Sequence, residues 1–246
     1  MNSEKNLPEY KWVSFGGGIN STAMLIEMVL RKERIDLILF ADTGGEKPHT
    51  YQHTLKFSDW LRSHSYPEII WVKDGRETLE EESLRRKQLP SVAYGPFKSC
   101  SDKYKIRPQR RYVREWMKSK GVDKITRCIG FHVDEQKRVR ESKELWAVNR
   151  FPLIEYGLDQ EDCEDTLKEN GIATPGKSSC FYCPNSKPKE VQEMKQRYPD
   201  LYERALRMED NADLNTIKGL GRMWSWGDVD IKSPHVDLSP CECVDG

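Results

Sequence analysis

The sequence has no net charge and no long apolar run. Its 40 Lys and Arg residues balance 40 Asp and Glu residues, so the formal net charge over 246 residues is +0. This balance argues against a protein that coats nucleic acid, although it permits a local basic patch. No stretch approaches the about 20 apolar residues of a transmembrane helix, and MNSEKNLPEYK at the start has no apolar core of the signal-peptide kind. We therefore expect a cytoplasmic protein with no membrane partner.

Internal repeats and low-complexity tracts are also absent, and none of the 5 histidines shows metal-ligand spacing. Cysteine is the residue type left to explain, with 7 in the chain. In a compartment where thiols stay reduced and disulfides are rare, cysteines indicate metal binding, catalysis or buried structural thiols.

Two common nucleotide-binding loops are missing. The chain has neither the Walker pattern, which ends in Gly-Lys-Ser/Thr, nor the dinucleotide pattern G-x-G-x-x-G. Instead, in 12-WVSFGGGINSTAML-25 a short apolar strand is followed by three glycines and then by a helical pattern. Glycines let backbone amides approach a ligand closely, and the start of a helix adds positive partial charge. The turn therefore suits a phosphate, although a tight βα turn with a polar N-cap would look the same.

Strand and helix patterns alternate along the first part of the chain. The predicted strands are 11–15, 36–40, 68–72 and 124–131, and the predicted helices are 19–32, 48–62, 77–87 and 108–120. The runs DLILF and EIIWV are typical of strands that are buried on both faces of a parallel sheet. This alternation predicts an α/β fold with a doubly wound, mostly parallel sheet.

The composition changes from Phe151 onward. A helix is predicted at 159–170, a segment rich in Pro, Ser, Gly, Lys and Cys follows at 174–188, and helical patterns lie on both sides of Pro199. We therefore predict a nucleotide-binding α/β domain at 1–172 and a helical, cysteine-containing extension at 173–246 that packs on it.

Five blocks, in order, resemble those of the PP-loop ATP pyrophosphatases and their relatives, the phosphoadenosine phosphosulfate (PAPS) reductases. The family loop S-F-S-G-G-x-D-S overlays SFGGGINS at 14–21, where Gly16 replaces a serine and Asn20 replaces an aspartate. Further blocks are FADTGGEKPHTY at 40–51, SCSDKYKIRP at 99–108 and GFHVDEQKRVR at 130–140, in which His132 replaces the usual arginine. The last is FPLIEYGLDQEDCEDTLKENGI at 151–172, followed by CFYCP at 180–184.

The resemblance implies an adenine nucleotide alpha hydrolase-like fold, with ATP, or PAPS or APS, across the carboxyl ends of the strands. It implies that the phosphates contact the turn and that the strand end at 42–44 lies beside the adenosine. The implied nucleotide-binding residues are Ser14, Phe15, Gly16, Gly17, Gly18, Asn20, Ser21, Thr22, Asp42, Thr43, Gly44 and Gly130. Arg138 and Arg140, with Asn20, are the implied catalytic residues, and Mg²⁺ is the expected counter-ion. A solvated basic turn is the alternative for the two arginines.

Cys180 and Cys183 have the two-residue spacing that lets both sulfurs face one metal. Cys241 and Cys243 supply two more thiols, and Cys100 is a further candidate through its family block. Four thiolates suit either zinc or a [4Fe–4S] cluster, and the resemblance favours the cluster. Two ligand sets stay open: Cys100, Cys180 and Cys183 with one tail cysteine, or the two pairs. The remaining thiols, Cys128 and Cys163, lie in apolar patterns that predict packed side chains.

The leading hypothesis is an enzyme that cleaves ATP at the α-phosphate, transfers the adenylyl group, releases pyrophosphate and supports sulfur transfer with the cluster. The acceptor would be tRNA, DNA or a small molecule, with a sulfur donor or thiol reductant as a further partner. A sulfonucleotide reductase that makes sulfite is the alternative, but Glu242-Cys243 lacks the Gly-Leu-His that follows the reductases' nucleophilic cysteine. A third possibility is a nucleotide sensor or nucleic-acid-binding module, because a fold does not fix function. The basic segment 103–114 is compatible with nucleic acid.

Overall fold

The computed structural model describes residues 7–75, 77–94 and 99–229. Its sheet has five strands in the order β3-β2-β1-β4-β5, and every pairing is parallel. The strands are β1 Lys11–Phe15, β2 Leu37–Ala41, β3 Ile69–Val72, β4 Ile125–Cys128 and β5 Ala147–Arg150. The predicted α/β fold with a parallel sheet is confirmed.

The helices are α1 Ile19–Leu30, α2 Pro48–Ser63, α3 Leu79–Arg86, α4 Ser99–Ser101, α5 Arg107–Lys120, α6 Pro152–Tyr156, α7 Gln160–Glu169, α8 Pro188–Arg197 and α9 Pro199–Asn211. A π-helical turn at Asp102–Ile106 joins α4 to α5, and 3-10 turns lie at Ser91–Ala93, Val133–Arg138 and Trp226–Asp228. The described part of the chain contains no helix that combines the length and the apolar character needed to cross a bilayer.

Alternate residues of the strands fill two separate cores. One core contains Val13, Phe15, Ile38 and Phe40 together with apolar side chains of α1, α2 and α7. The other contains Trp12, Leu37 and Leu39 together with side chains of α5. Because successive residues of a strand point to opposite faces, this division places helices on both faces of the sheet, as a doubly wound fold requires.

The described residues divide into two compact units. The first unit contains the whole sheet and comprises residues 7–41, 48–72 and 108–178. The second comprises 42–47, 73–75, 77–94, 99–107 and 179–229, and its core is formed by side chains that include Phe181, Tyr182 and Trp226. The predicted division at residue 172 stays a prediction, and the second unit includes two segments that come much earlier in the chain.

The fourth and fifth strands differ from expectation. The strand predicted at 124–131 ends at Cys128, because the chain turns there: the Phe131 amide donates to the Ile129 carbonyl at 3.0 Å. The edge strand β5 has no counterpart among the predicted strands. Its sequence AVNR is only half-buried at its centre and therefore lacks the apolar run that marks a central strand.

Candidate functional site

The glycine turn connects β1 to α1, and at Gly17 its backbone conformation requires glycine. Gly17 has φ +74, and a Cβ there would lie 2.9 Å from Cγ2 of Thr50. Gly18 is extended and caps α1 without a side chain. A Cβ on it would lie 2.9 Å from the hydroxyl oxygen of Ser178. The turn thus presents bare backbone at the start of a 12-residue helix, an arrangement that favours an anion.

The hydroxyl groups next to the turn are used inside the protein. Ser14 donates to Oε1 of Gln109 at 2.9 Å. The Ser21 hydroxyl accepts from the Gly16 amide at 3.2 Å and donates to the Gly18 carbonyl at 3.2 Å. These contacts hold the turn in shape, and contacts of Ser14 and Ser21 with a nucleotide stay predictions.

Two further residues support the turn from the core. Thr22 is fully buried and donates to the Gly18 carbonyl at 2.9 Å, while its oxygen lies 2.9 Å from Nε2 of His53. Burial, and secondly the neighbouring His49, lowers the pKa of His53 to about 4, so the imidazole is neutral at pH 7. Phe15 is buried and stacks on Phe57, and its contact with a nucleotide also stays a prediction.

The turn lies where the strand order reverses. The sheet runs from β1 to β2 on one side and from β1 to β4 on the other, and ligands of open parallel sheets bind at such a point. Gly130 follows β4, and a Cβ on it would lie 3.1 Å from the Asn20 carbonyl oxygen and 3.1 Å from the Ser21 amide nitrogen. Gly130 is therefore needed for the close approach of the chain after β4 to the start of α1.

A polar cluster extends from this contact. Nδ2 of Asn20 donates to Oε2 of Glu135 at 3.1 Å, and Arg138 forms an ion pair with the same carboxylate while lying over the ring of Phe131. His132 is 4% exposed, and its ring nitrogens have no hydrogen-bond partner among the described residues; each lies 3.5 Å from a carboxylate oxygen, one of them on Glu135. The structure thus joins Arg138 to Asn20 through Glu135, a residue that the sequence interpretation missed.

Arg140 has different surroundings. Its guanidinium is exposed and donates to the backbone carbonyls of Lys137 and Val139 at 2.8 and 2.7 Å. These contacts belong to the local basic turn, which is the alternative that the sequence left open, and the catalytic role of Arg140 stays a prediction.

A segment at 174–178 also reaches the glycine turn, and the sequence interpretation missed this contact too. Ser178 approaches Gly18, as described above, and Gly176 packs on His49, whose Nε2 would lie 2.7 Å from a Cβ at that glycine. His49 is additionally 3.3 Å from the Lys177 carbonyl oxygen. Only the spacing of glycines in an irregular stretch could have hinted at this close packing.

In the second unit, the predicted adenosine-contacting residues form a tight turn. The Gly44 amide donates to Oδ1 of Asp42 at 2.8 Å, and Gly44 has φ +75 with Thr78 packed against it. The Thr43 hydroxyl lies 3.1 Å from the sulfur of Cys180. Their contact with an adenosine stays a prediction.

Three of the candidate metal ligands line one cavity of the second unit. Cys100, Cys180 and Cys183 surround a space of about 40 Å³, together with Lys105 and Ser179. The Ser179 hydroxyl is buried and has no hydrogen-bond partner among the described residues. Buried polar groups are normally satisfied, so an unsatisfied hydroxyl and three thiols around one space form a donor set suited to a bound group.

A buried ion pair adjoins the cysteines. Oε1 of Glu46 accepts from Nζ of Lys105 at 3.0 Å and lies 3.9 Å from the Cys180 sulfur. The Glu46 side chain is 1% exposed, and its Oε2 has no hydrogen-bond partner among the described residues. Burial, and secondly Glu46, raises the pKa of the Cys180 thiol to about 12. The Cys180 thiol is therefore protonated at pH 7, and the charged groups beside it are Lys105 and Glu46.

The predicted metal ligands are only partly brought together. Within residues 7–75, 77–94 and 99–229, no three His, Cys, Asp or Glu side chains are arranged to hold a single metal ion. The two tail cysteines, Cys241 and Cys243, lie outside the described residues. Cys128 and Cys163 are fully buried in the first core, and burial raises the pKa of each thiol to about 12, in agreement with their prediction as packed thiols.

Comparison with known proteins finds no family model that matches the chain. It is 23% identical over 230 residues to an uncharacterised protein of Methanocaldococcus jannaschii, a match that covers 89% of this chain and 52% of that protein. A second uncharacterised protein of the same organism is 24% identical over 215 residues, covering 82% and 42%. The chain therefore spans about half the length of the curated relatives it matches.

Among solved structures, the chain is similar to the U34-tRNA thiolase NcsA from Methanococcus maripaludis, determined with its [4Fe-4S] cluster. The sequence identity is 14%, the TM-score is 0.41, and the superposition covers 86% of this chain and 74% of that one.

Proposed function

We propose that the chain binds ATP at the glycine turn and cleaves it at the α-phosphate, with transfer of the adenylyl group and release of pyrophosphate. The observation that carries this proposal is the turn itself: it has no side chains at Gly16–Gly18, it requires glycine at Gly17, and it lies where the strand order reverses. These features favour a phosphate chain, and the sequence resemblance favours ATP.

The catalytic role of the protein is mainly electrostatic. The amides of the turn neutralise phosphate charge at the start of α1, and Arg138, positioned by Glu135, adds a cation on the side of Asn20. Charge on the α-phosphate rises as the acceptor attacks and the bond to the leaving pyrophosphate breaks. Fixed donors aimed at that charge lower the barrier, and Mg²⁺ would supply further positive charge.

We further propose that Cys100, Cys180 and Cys183 hold an iron–sulfur cluster. Three thiols around one cavity fit a [4Fe–4S] cluster, in which each thiolate binds a different iron. The sequence resemblance favours this cluster over zinc. When bound through three thiolates, the cluster supplies an iron with an open position for a sulfur donor. The acceptors compatible with adenylyl activation and sulfur transfer are a base of tRNA or DNA, or a small molecule.

The test is release of pyrophosphate from ATP and Mg²⁺ by the full chain, purified without oxygen, with tRNA, DNA or small-molecule acceptors. We expect the wild-type chain to release pyrophosphate and the Gly17→Ala variant to release none. Sulfite formed from PAPS and a thiol reductant, without pyrophosphate from ATP, would instead identify a sulfonucleotide reductase. Tight ATP binding without turnover would identify a nucleotide sensor.

A further inference from the structure

The glycine turn has backbone donors but few free hydroxyl groups. Gly16 stands at the position where the family loop S-F-S-G-G-x-D-S has a serine. Of the neighbouring hydroxyls, Ser14 is bonded to Gln109, and Ser21 and Thr22 are bonded to the turn. The hydroxyls of Ser14, Ser21 and Thr22 are therefore already hydrogen-bonded within the protein when a phosphate binds to these amides.

Ser178 reaches the turn from elsewhere in the chain. Measured from the position that a Cβ of Gly18 would occupy, its hydroxyl oxygen is 2.9 Å away and its own Cβ is 3.8 Å away. Because the oxygen is the nearer atom, the hydroxyl is turned toward the N-cap of α1. The absence of a side chain at Gly18 is what leaves room for it.

The segment that carries Ser178 is held in place by α2. Pro175 is buried, Gly176 packs on the imidazole of His49, and that ring lies 3.3 Å from the Lys177 carbonyl oxygen. The next residue of α2, Thr50, packs against Gly17. One helix therefore contacts both the turn and the segment, and it fixes the distance between them.

A second feature is a buried imidazole in the chain that follows Gly130. His132 lies two residues after Gly130, which contacts Asn20 and Ser21, and its ring is 4% exposed without a hydrogen-bond partner among the described residues. Buried polar groups without partners are rare in finished protein interiors. The ring nitrogens of His132 lie 3.5 Å from carboxylate oxygens of Asp134 and Glu135, which is longer than a hydrogen bond, so a polar ligand that reached the ring would supply a closer contact.

We propose that Ser178 is a phosphate-binding residue of the glycine turn, and that its hydroxyl replaces the one lost at Gly16. This inference rests on the proposed function, because it assigns the hydroxyl to the phosphates of the nucleotide bound there. The hydroxyl would donate to a phosphate oxygen that the amides of Gly17 and Gly18 also bind.

The experiment measures binding of Mg²⁺–ATP, inorganic pyrophosphate and adenosine to the full chain by calorimetry. Ser178→Ala should weaken binding of ATP and of pyrophosphate by about 10-fold or more, the usual effect of one hydrogen bond to a charged group. Adenosine, which lacks phosphate, should bind unchanged. Ser178→Thr retains the hydroxyl and should restore most of the affinity, and Thr174→Ala, an exposed residue of the same segment, is the matched control.

Each other outcome overturns the inference in a distinguishable way. Equal affinities of wild type and Ser178→Ala for pyrophosphate would remove Ser178 from the site while the proposed function stands. An equal loss for adenosine would show that the change disturbs the binding site as a whole and removes no specific phosphate contact. Absence of ATP and pyrophosphate binding in the wild type would refute the proposed function, and this inference with it.

Discussion

The side-chain amide of Asn20 donates a hydrogen bond to the carboxylate of Glu135, with 3.1 Å between Nδ2 and Oε2. The two residues are 115 positions apart in sequence and meet because Gly130 brings the chain after β4 against the start of α1. The related loops have aspartate at this position. Because Asn20 is uncharged, the carboxylate of Glu135 can lie next to the turn without charge repulsion. The pair carries a single negative charge, and that charge is shared with Arg138.

The first prediction concerns this pair. Asn20→Asp would place two carboxylates at hydrogen-bonding distance, and like charges this close disfavour the ionised state of both. We expect a loss of about 1–2 kcal/mol at pH 7, which lowers Tm by about 3–6 °C in a protein of this size. Thermal unfolding without Mg²⁺ measures the change.

A double variant provides the control. In Asn20→Asp with Glu135→Gln the hydrogen bond is reversed, since the glutamine amide donates to the new aspartate, and the pair again carries one charge. The Tm of the double variant should lie above that of Asn20→Asp alone. Losses that simply add would show that the two side chains are not energetically coupled.

The second prediction concerns Gly17, where both the backbone and the surroundings exclude a side chain. Gly17→Ala is strained by the φ of +74 and by the 2.9 Å contact with Thr50, so we expect a loss of more than about 1 kcal/mol in addition to loss of nucleotide binding. The control is Gly121→Ala, at φ +64 with open space around it, which isolates the cost of the backbone. If urea unfolding gives equal losses for the two variants, the contact with Thr50 is not restrictive.

The third prediction is a pH dependence. Burial, with His49 as a second cause, lowers the pKa of His53 to about 4 from an ordinary value of 6.5. Between these two values the unfolded chain binds a proton that the folded chain does not, so stability from this residue is full above pH 6.5 and falls as the pH drops to about 4. His53→Phe keeps the ring stacked near Phe57 and cannot titrate.

The Tm of the His53→Phe variant should fall less between pH 7 and pH 4.5 than the Tm of the wild type, whatever the Tm of the variant at pH 7. The matched comparison is His64→Gln, which removes an exposed histidine just beyond the end of α2. Parallel slopes for wild type and His53→Phe would contradict a depressed pKa at His53.

The fourth prediction concerns Glu209, the carboxylate that attaches the segment after α9 to that helix. It is 5% exposed and accepts from the Leu220 amide, the Trp226 amide and the Ser225 hydroxyl. Glu209→Gln exchanges an acceptor oxygen for an NH₂ that faces these donors, and should cost about 2–3 kcal/mol. The exposed Glu203 of α9 offers the matched change, Glu203→Gln, which should stay within about 0.5 kcal/mol. A similar unfolding midpoint in urea for both variants would exclude this role.

The strands that could be predicted from the sequence are those in which consecutive residues are all buried and apolar. In β2 all five positions are buried, so LILFA is an uninterrupted apolar run, and parallel central strands produce such runs. At the sheet edge, β5 has two half-buried central positions, and no local pattern separates AVNR from a loop. The predicted strand through Phe131 was too long because its apolar sequence continues, while the packing of Gly130 against the start of α1 makes the chain turn.

The same distinction holds at the candidate site. The glycine turn was visible because its residues are consecutive, and its chemistry depends on local backbone conformation. Glu135 and Ser178 were missed because each reaches the turn only through tertiary contacts, and neither carries a signal in its own stretch of sequence. The cavity that gathers Cys100 with Cys180 and Cys183 was anticipated only through the resemblance, since spacing alone joins Cys180 to Cys183.

The fifth prediction tests these cysteines. Changing Cys100, Cys180 or Cys183 singly to Ala should lower the iron and acid-labile sulfide bound per chain, together with the visible Fe–S absorbance, in protein purified without oxygen. Cys163→Ala is the control, because that thiol is packed in the core of the first unit and should leave the cluster content unchanged. Stoichiometric zinc in place of iron in the wild type would identify the alternative metal.

The tail pair decides how many thiolates the cluster has. In the proposed cluster, the three cysteines that line one cavity would bind three irons, and a sulfur donor would need the fourth iron open. We therefore expect the double variant Cys241→Ala, Cys243→Ala to retain iron and sulfide at the wild-type level, because neither tail thiol is required to close the set. The ligand set of Cys180, Cys183, Cys241 and Cys243 makes the opposite prediction: the double variant would lose its cluster, whereas Cys100→Ala would keep it. The set of Cys100, Cys180 and Cys183 with one tail cysteine predicts loss of the cluster in both variants. Metal analysis of the two variants side by side therefore separates the three arrangements, since each predicts a different pair of results.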